Sequence, residues 1–429
     1  MIDVGFGAQE IDVPLGTPMA GFAARSAGST GTLDPTTARA VVLGGAAIIA
    51  VDVCALHEET CRSIREGVAG LVDSCIVTAT HTHSGPCSAR GRLGPDLPDL
   101  EEEIERASIA AVQHATRSAR ACTVDLRTAH GAGIAHDRRR GRAVDPPLSV
   151  LTARGPDGSV QGSIAHFACH PVVIDGSSTL LSGDYPAALR KELERSGGTT
   201  LFLTGCAGDI NTGHSAESSY IPTGLHTRTP AEAQRIGRRL AGAARAVAPR
   251  PLDLSPPRVS TRDVVLALDI PEREGVTADR AAWSREHETA NPARLALLDT
   301  WIQWADGVLA GPDGTRDVPS LPNWSGRVSV LHLGELIIIA LPGEPFLETA
   351  DRLETAIAET GLTGATLVLG YADGVPGYLP PRSAYPHGGY EVADAHRYYA
   401  MPGPFSPGGV ERLEAEVLDA LAGWIGAEK

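Results

Sequence analysis

The chain of 429 residues is long enough for a large core in one to three domains. With a formal net charge of −15 it lacks the basic face that nucleic acids and anionic membranes require. No apolar run approaches the roughly 18 residues that span a bilayer, and Met1–Gly5 shows no basic region ahead of an apolar stretch. The expectation is a soluble, cytoplasmic protein without stable membrane association. Its seven cysteines, with no Cys-x-x-Cys pair, read as reduced thiols rather than a disulfide framework.

Taken in order, Ile11 to Phe22 reads as a Pro/Gly-punctuated loop too apolar for a disordered tail, packed near a site. Val41–Leu43, the Gly44-Gly45 turn and Ala46 to Val53 predict a β-hairpin. A helix is expected from about His57 to Leu71, with Glu58 and Glu59 in its first turn. The short apolar run Cys75–Thr78 then enters Ala79-Thr80-His81-Thr82-His83-Ser84-Gly85-Pro86, and a helix from about Asp99 to Arg120 follows. Leu148–Thr152 with Ser163–Cys169 predicts a second hairpin, and Val328–Leu333 with Leu336–Leu341 a third. Between these two lie an expected strand at Thr200–Thr204, a helix at about Pro230–Val247, a strand at Val264–Ile270 and a helical stretch around Arg280–Leu309. An amphipathic helix from about Gly409 to Ile425 closes the chain and is expected to cap the core. No internal repeat is visible. The fold class expected is mixed α/β, with hairpin-rich sheets flanked by helices, and residues 1–429 read as a single domain.

Four apolar strands stop at a Gly or Pro with a ligand-type side chain at the tip: His81 with His83, His170 before Pro171, Asp209 in Gly205–Asn211, and Glu344 after Gly343. Strand ends are where α/β sheets present ligands. On an extended chain His81 and His83 face the same side, two residues apart. Two histidines and a glutamate with one open position form a catalytic zinc arrangement. The plainer alternatives are half-exposed histidines beside a turn and, for His170, a core histidine bonded to backbone. His166 reads as a strand-face residue or one that supports a ligand from behind, and the loops around Tyr378 and Tyr390 as site-lining, with a generic loop the alternative.

Together, Thr80–Pro86, His170-Pro171, Gly205–Asn211, Pro342-Gly343-Glu344 and the Tyr378/Tyr390 pair resemble the catalytic domain of the neutral/alkaline non-lysosomal ceramidase family, in order along residues 3 to 405. The resemblance implies one Zn2+ per chain held by His81, His170, Glu344 and Tyr378. It further implies His83 as the second motif histidine, Arg138 as the active-site arginine, with Arg139 and Arg140 adjacent, and Tyr390 as the second loop tyrosine. The reaction implied is hydrolysis of an amide C–N bond by a metal-activated water. His83 would move a proton to the leaving amine, while Arg138 and Tyr390 would stabilise the oxyanion or anchor a polar substrate group. Asp209 is expected to orient a ligand histidine from behind. Asn211 replaces the serine of the family's segment, so an acyl-enzyme at that position is not expected, and the family's appended immunoglobulin-like domain is not expected here. A small soluble amide is expected as substrate in place of ceramide, because the loops offer guanidinium and phenol donors suited to a polar or carboxylate-bearing molecule. An esterase or lactonase on the same scaffold and a metal-free binding protein are the competing readings.

Overall fold

A computed structural model describes residues 1–220, 227–310 and 322–427. Three stretches of the chain fold in one pattern: an antiparallel hairpin, a helical crossover, and a strand parallel to the hairpin's second arm. The first comprises strands Thr37–Leu43 and Ala46–Val51, helix Glu58–Val68 and strand Ser74–Ala79. The second comprises Leu148–Arg154, Val160–Phe167, helix Asp184–Leu193 and Thr199–Thr204. The third comprises Asn323–His332, Leu336–Ala340, helix Leu347–Glu359 and Ala365–Leu369. The repeat is topological, carried by the order of strands and the crossover.

Strands Ile2–Glu10 and Arg120–Ala129 join the first two units into a nine-stranded sheet, while the third forms a four-stranded sheet with Arg258–Ala267. Alternation of side chains then builds the layers. Ile48, Ile76, Ile164 and Leu201 of the large sheet share one apolar cluster with Leu331, Ile338 and Leu367 of the small one, so the sheets face each other. The opposite faces carry Ile49, Val77 and Phe202, and Ile337 and Ile339. These pack with the helices, including Pro98–Ser118 through Ile104 and Ala111, and Gly409–Ala427 through Leu413, Val417 and Leu421. Each fully buried Ile or Leu contributes about 1.5–3 kcal/mol relative to exposure. The mixed α/β class read from the sequence is the class observed, and the terminal helix packs on the small sheet.

Elements and their boundaries differ from expectation in several places. Arg120 opens a strand instead of closing a helix. The stretch around Arg280–Leu309 is two helices, Arg273–His287 and Pro292–Ala310, broken at Asn291-Pro292, where proline suits a first helical turn. The crossover helices Asp184–Leu193 and Leu347–Glu359 and the first strand, Ile2–Glu10, were not anticipated. That strand hides its character because Gly5 and Gly7 lie under helix Pro98–Ser118, where a Cβ would fall 1.9 Å from the Ala115 carbonyl and 2.1 Å from that of Ala111. Among the described residues no helix is long and apolar enough to cross a membrane, and all seven cysteines are buried free thiols.

Candidate metal centre

The crossover topology brings strand ends from all three units to one place. His81 lies two residues past strand Ser74–Ala79, His170 three past Val160–Phe167, and Glu344 four past Leu336–Ala340. The convergence of His81 and His83 does not come from an extended pleat. His81 has φ 65°, a left-handed turn that is strained for a residue with a Cβ, and strain of this kind collects at functional sites. That turn sets the two imidazoles edge to face, with Nε2 to Nε2 at 3.3 Å. Tyr371 holds the matching position in the third unit, two residues past Ala365–Leu369, with φ 57°, and its ring stacks on His81 at 4.2 Å.

His81, His170 and Glu344 are fully buried, and their donor atoms lie within 4.8 Å of one another. Glu344 Oε2 is 3.2 Å from His81 Nε2 and 3.0 Å from His170 Nε2. Both histidines are oriented by backbone: Nδ1 of His81 donates to the Cys54 carbonyl at 2.6 Å, and Nδ1 of His170 to those of Ala207 and Ile210 at 2.6 and 3.1 Å. A carbonyl can only accept, so the proton sits on Nδ1 and Nε2 is left as a lone-pair donor facing inward. Nε2 of His170 is buried without a well-directed hydrogen-bond partner. A carboxylate charge buried this completely requires a cation beside it. The residues therefore fit a divalent metal ion: two imidazole nitrogens and one carboxylate oxygen, converging and pre-oriented. Burial opposes charge on His81, yet the adjoining Glu344 raises it to about 10, so Glu344 draws a second proton onto His81 Nε2, the proton a bound metal ion would replace; burial lowers His170 to about 4, and the imidazoles hold Glu344 well below the ordinary carboxylate range against its desolvation.

Tyr378 pairs through its backbone with Glu344 and stacks over His170 at 6.4 Å, but its hydroxyl accepts from Arg138 Nη2 at 3.0 Å. The phenols that meet Glu344 are Tyr399, at Oε1, and Tyr371, at 3.4 Å from Oε2. Neither was singled out from the sequence; two tyrosines flanking the expected pair were the available signal. Arg138 is held by Glu391 at 2.8 Å and by the Gly208 carbonyl at 3.0 Å. Arg139 takes the other oxygen of Glu391, whereas Arg140 and Arg142 are exposed beside Asp137. Asp209 does not reach a ligand histidine, since those nitrogens are already bonded to carbonyls. It accepts from the amide of Leu347 at 2.9 Å, capping the helix behind Glu344, and burial raises it to about 6. Asn211 ties its own loop, accepting from the amides of Gly213 and His214. His166 donates to the Val368 carbonyl at 3.1 Å, bridging the two sheets.

Beyond His83 lies a cavity of about 340 Å3 lined by Phe22, Arg138, Asn211, Tyr378, Tyr390 and Tyr399 among others. Gly21 is required there, because a Cβ would sit 2.5 Å from the His83 ring and its φ is +98°. Tyr390 stands between Tyr378 and Tyr398, at 5.7 and 5.8 Å. Helices Arg273–His287 and Pro292–Ala310 pack over the tyrosine loop, with Arg397 held against the rings of Trp283, Trp301 and Trp304 at 5.2, 4.6 and 5.4 Å.

Fold and site together define a class: layered mixed α/β proteins with a buried two-histidine, one-carboxylate donor set where strand ends of repeated units meet. No protein-family model and no curated relative matches the chain. Solved structures do. A ceramidase complexed with C2 matches at a TM-score of 0.74 with 16% identity, over 96% of this chain and 74% of that one. The neutral ceramidase from Pseudomonas aeruginosa matches at 0.73 with 15% identity, over 96% and 73%. The chain has the ceramidase fold, as the motif resemblance implied.

Proposed function

We propose that this protein is a single-domain, zinc-dependent hydrolase that cleaves an amide C–N bond of a small soluble substrate. The observation that carries the reading is the pre-oriented set of His81, His170 and Glu344 beside His83, which lines a cavity of mixed polar and apolar walls. These three residues would hold one zinc ion, with the Tyr378 phenol as fourth donor. Bound zinc lowers the pKa of a water toward ~7 and polarises a carbonyl, which suffices for amide hydrolysis.

The chain's own side chains supply the remainder. His83 is kept neutral by burial and by the neighbouring histidines, and its imidazole beside the donor set would relay a proton toward the leaving amine. Arg138, with Nε and Nη2 already engaged, directs its charge toward the substrate oxygen, and Tyr390 adds a phenol on the same wall. Asp209 fixes the helix start that follows Glu344 and acts by positioning. Asn211, turned into its own loop, offers no nucleophile.

Metal analysis of protein purified without chelator is expected to find about one zinc per chain. Less than about a tenth of an equivalent would instead indicate a metal-free binding protein. In oxygen-18 water the product acid should carry the label within a single turnover, with no adduct in the intact mass. A screen pairing each short N-acyl amine with its ester decides the bond: a preference for esters throughout would replace the amidase reading.

A further inference from the structure

At about 340 Å3 the cavity lies near the small end of ligand sites, roughly 300–1,000 Å3. Among the described residues that line it are three arginines, Arg25, Arg138 and Arg228, and no aspartate or glutamate. Arg138 belongs to the tyrosine-loop side, where Glu391 balances it. The other two meet on a different ring. Phe22 contacts His83 with ring centroids 5.2 Å apart, and the guanidinium carbons of Arg25 and Arg228 lie 4.9 and 5.0 Å from the Phe22 centroid.

Neutral groups fix both guanidiniums. Arg228, 3% exposed, donates from Nε and Nη2 to the Val172 carbonyl at 3.1 and 2.7 Å and from Nη1 to Ser218 Oγ at 3.2 Å. Arg25 donates to the carbonyls of Ser178, Ala20, His83 and Asp175. Carbonyls and a hydroxyl orient a guanidinium without cancelling its charge. The acids whose charge reaches this corner are Asp175 and Asp184. Asp175 Oδ1 accepts from the amide and hydroxyl of Ser177, and Asp184 accepts from the amides of Ile174 and Tyr185. Burial and mutual repulsion lower Arg25 to about 10, and burial with the Arg228 charge holds His214, in the same wall, at about 4. The corner is thus a preset, largely buried positive field, and among the described residues that line the cavity no aspartate or glutamate faces it.

We infer that the Arg25/Arg228 corner seats a carboxylate carried by the substrate, one ring's width from His83, so the enzyme's substrates are short N-acyl compounds with a carboxylate a few bonds from the scissile amide. The inference rests on the hydrolase reading for the amide and on the corner's own geometry for the anion. Charge-assisted hydrogen bonds of this kind correspond to about 10- to 100-fold in binding.

Two measurements separate these parts. The first is calorimetric titration with glutarate, a short dicarboxylate without an amide, and with glutaramide, its neutral counterpart. Glutarate should bind and glutaramide should not. Arg228→Gln and Gln303→Glu, the latter an isosteric charge placed in the exposed part of the wall on helix Pro292–Ala310, should each weaken glutarate by about 10-fold or more. The second compares kcat/KM for a short N-acyl amine ending in carboxylate with that for its carboxamide. The wild type should favour the carboxylate about 10- to 100-fold, and both variants should bring the ratio toward one, chiefly through KM. A ratio near one in the wild type, or glutarate binding untouched by Gln303→Glu, overturns the carboxylate seat even if Arg228→Gln fails to fold. Arg228-dependent glutarate binding without turnover of either amide keeps the seat and overturns the hydrolase reading.

Discussion

The two sides of the cavity are held by different means. On the metal side His81 and His170 owe their orientation to backbone carbonyls of Cys54, Ala207 and Ile210, and Glu344 sits in a strand-end backbone paired with Tyr378. On the loop side Arg138, Arg139, Glu391, Tyr378 and Tyr390 hold one another through side chains, under helices docked by Arg397 and three tryptophans. Backbone-held donors have no alternative pose, so losing one should be close to all-or-none. A wall of mutually bonded side chains can be dismantled piece by piece, and its losses should be graded.

The contrast is tested most severely at the donors. His81→Ala or Glu344→Gln should reduce turnover by more than the ~100-fold that losing an outer partner costs such sites, with zinc content falling in parallel. Full zinc and full turnover in His81→Ala would remove the proposed centre. On the loop side the largest change is structural: Glu391→Gln leaves Arg138 and Arg139 without their shared carboxylate, at about 3 kcal/mol of stability, read as a lower urea midpoint. A midpoint equal to wild type would show that the wall stands without its ion pairs.

The phenols refine the comparison. Tyr378→Phe, which removes the proposed fourth donor, should weaken zinc retention about 100-fold, whereas Tyr399→Phe, which removes a bond that orients Glu344, should weaken it about 10-fold. The reverse order would make Tyr399 the fourth donor. The smallest effect concerns pH. Burial raises Asp184 from 3.8 to about 6. A carboxyl raised in the folded state stabilises fully below its unfolded pKa, and that contribution is lost as pH rises through the folded one. Stability should therefore decline between about pH 4 and pH 6, and Asp184→Asn should flatten that decline; an unchanged slope would mean that Asp184 does not titrate there.

Much of the scaffold was legible because its signals are local. Gly44 and Gly45, with φ 56° and 100°, satisfy a two-residue hairpin turn, and the apolar runs before His81, His170 and Glu344 announce strands that stop at polar tips. The elements that escaped are those whose composition answers to distant packing. Ile2–Glu10 carries glycines for a helix about a hundred residues away. Asp184–Leu193 begins at a left-handed aspartate and buries Arg190 in a two-pronged pair with Asp52, so it lacks a solvent-facing polar stripe on which a pattern can be read.

For the site, the sequence by itself determined the donor types and their places at strand ends, because strand, turn and ligand lie within a few consecutive residues. The tertiary structure decided which histidine nitrogen faces inward, since the carbonyls of Cys54 and Ala207 that set it have no side-chain signature. It also decided that Asp209 caps a helix, that Tyr399 meets Glu344, and that Arg25 and Arg228 gather on Phe22. Each of these depends on segments that only the meeting of strand ends from two separate sheets brings within hydrogen-bonding or stacking distance.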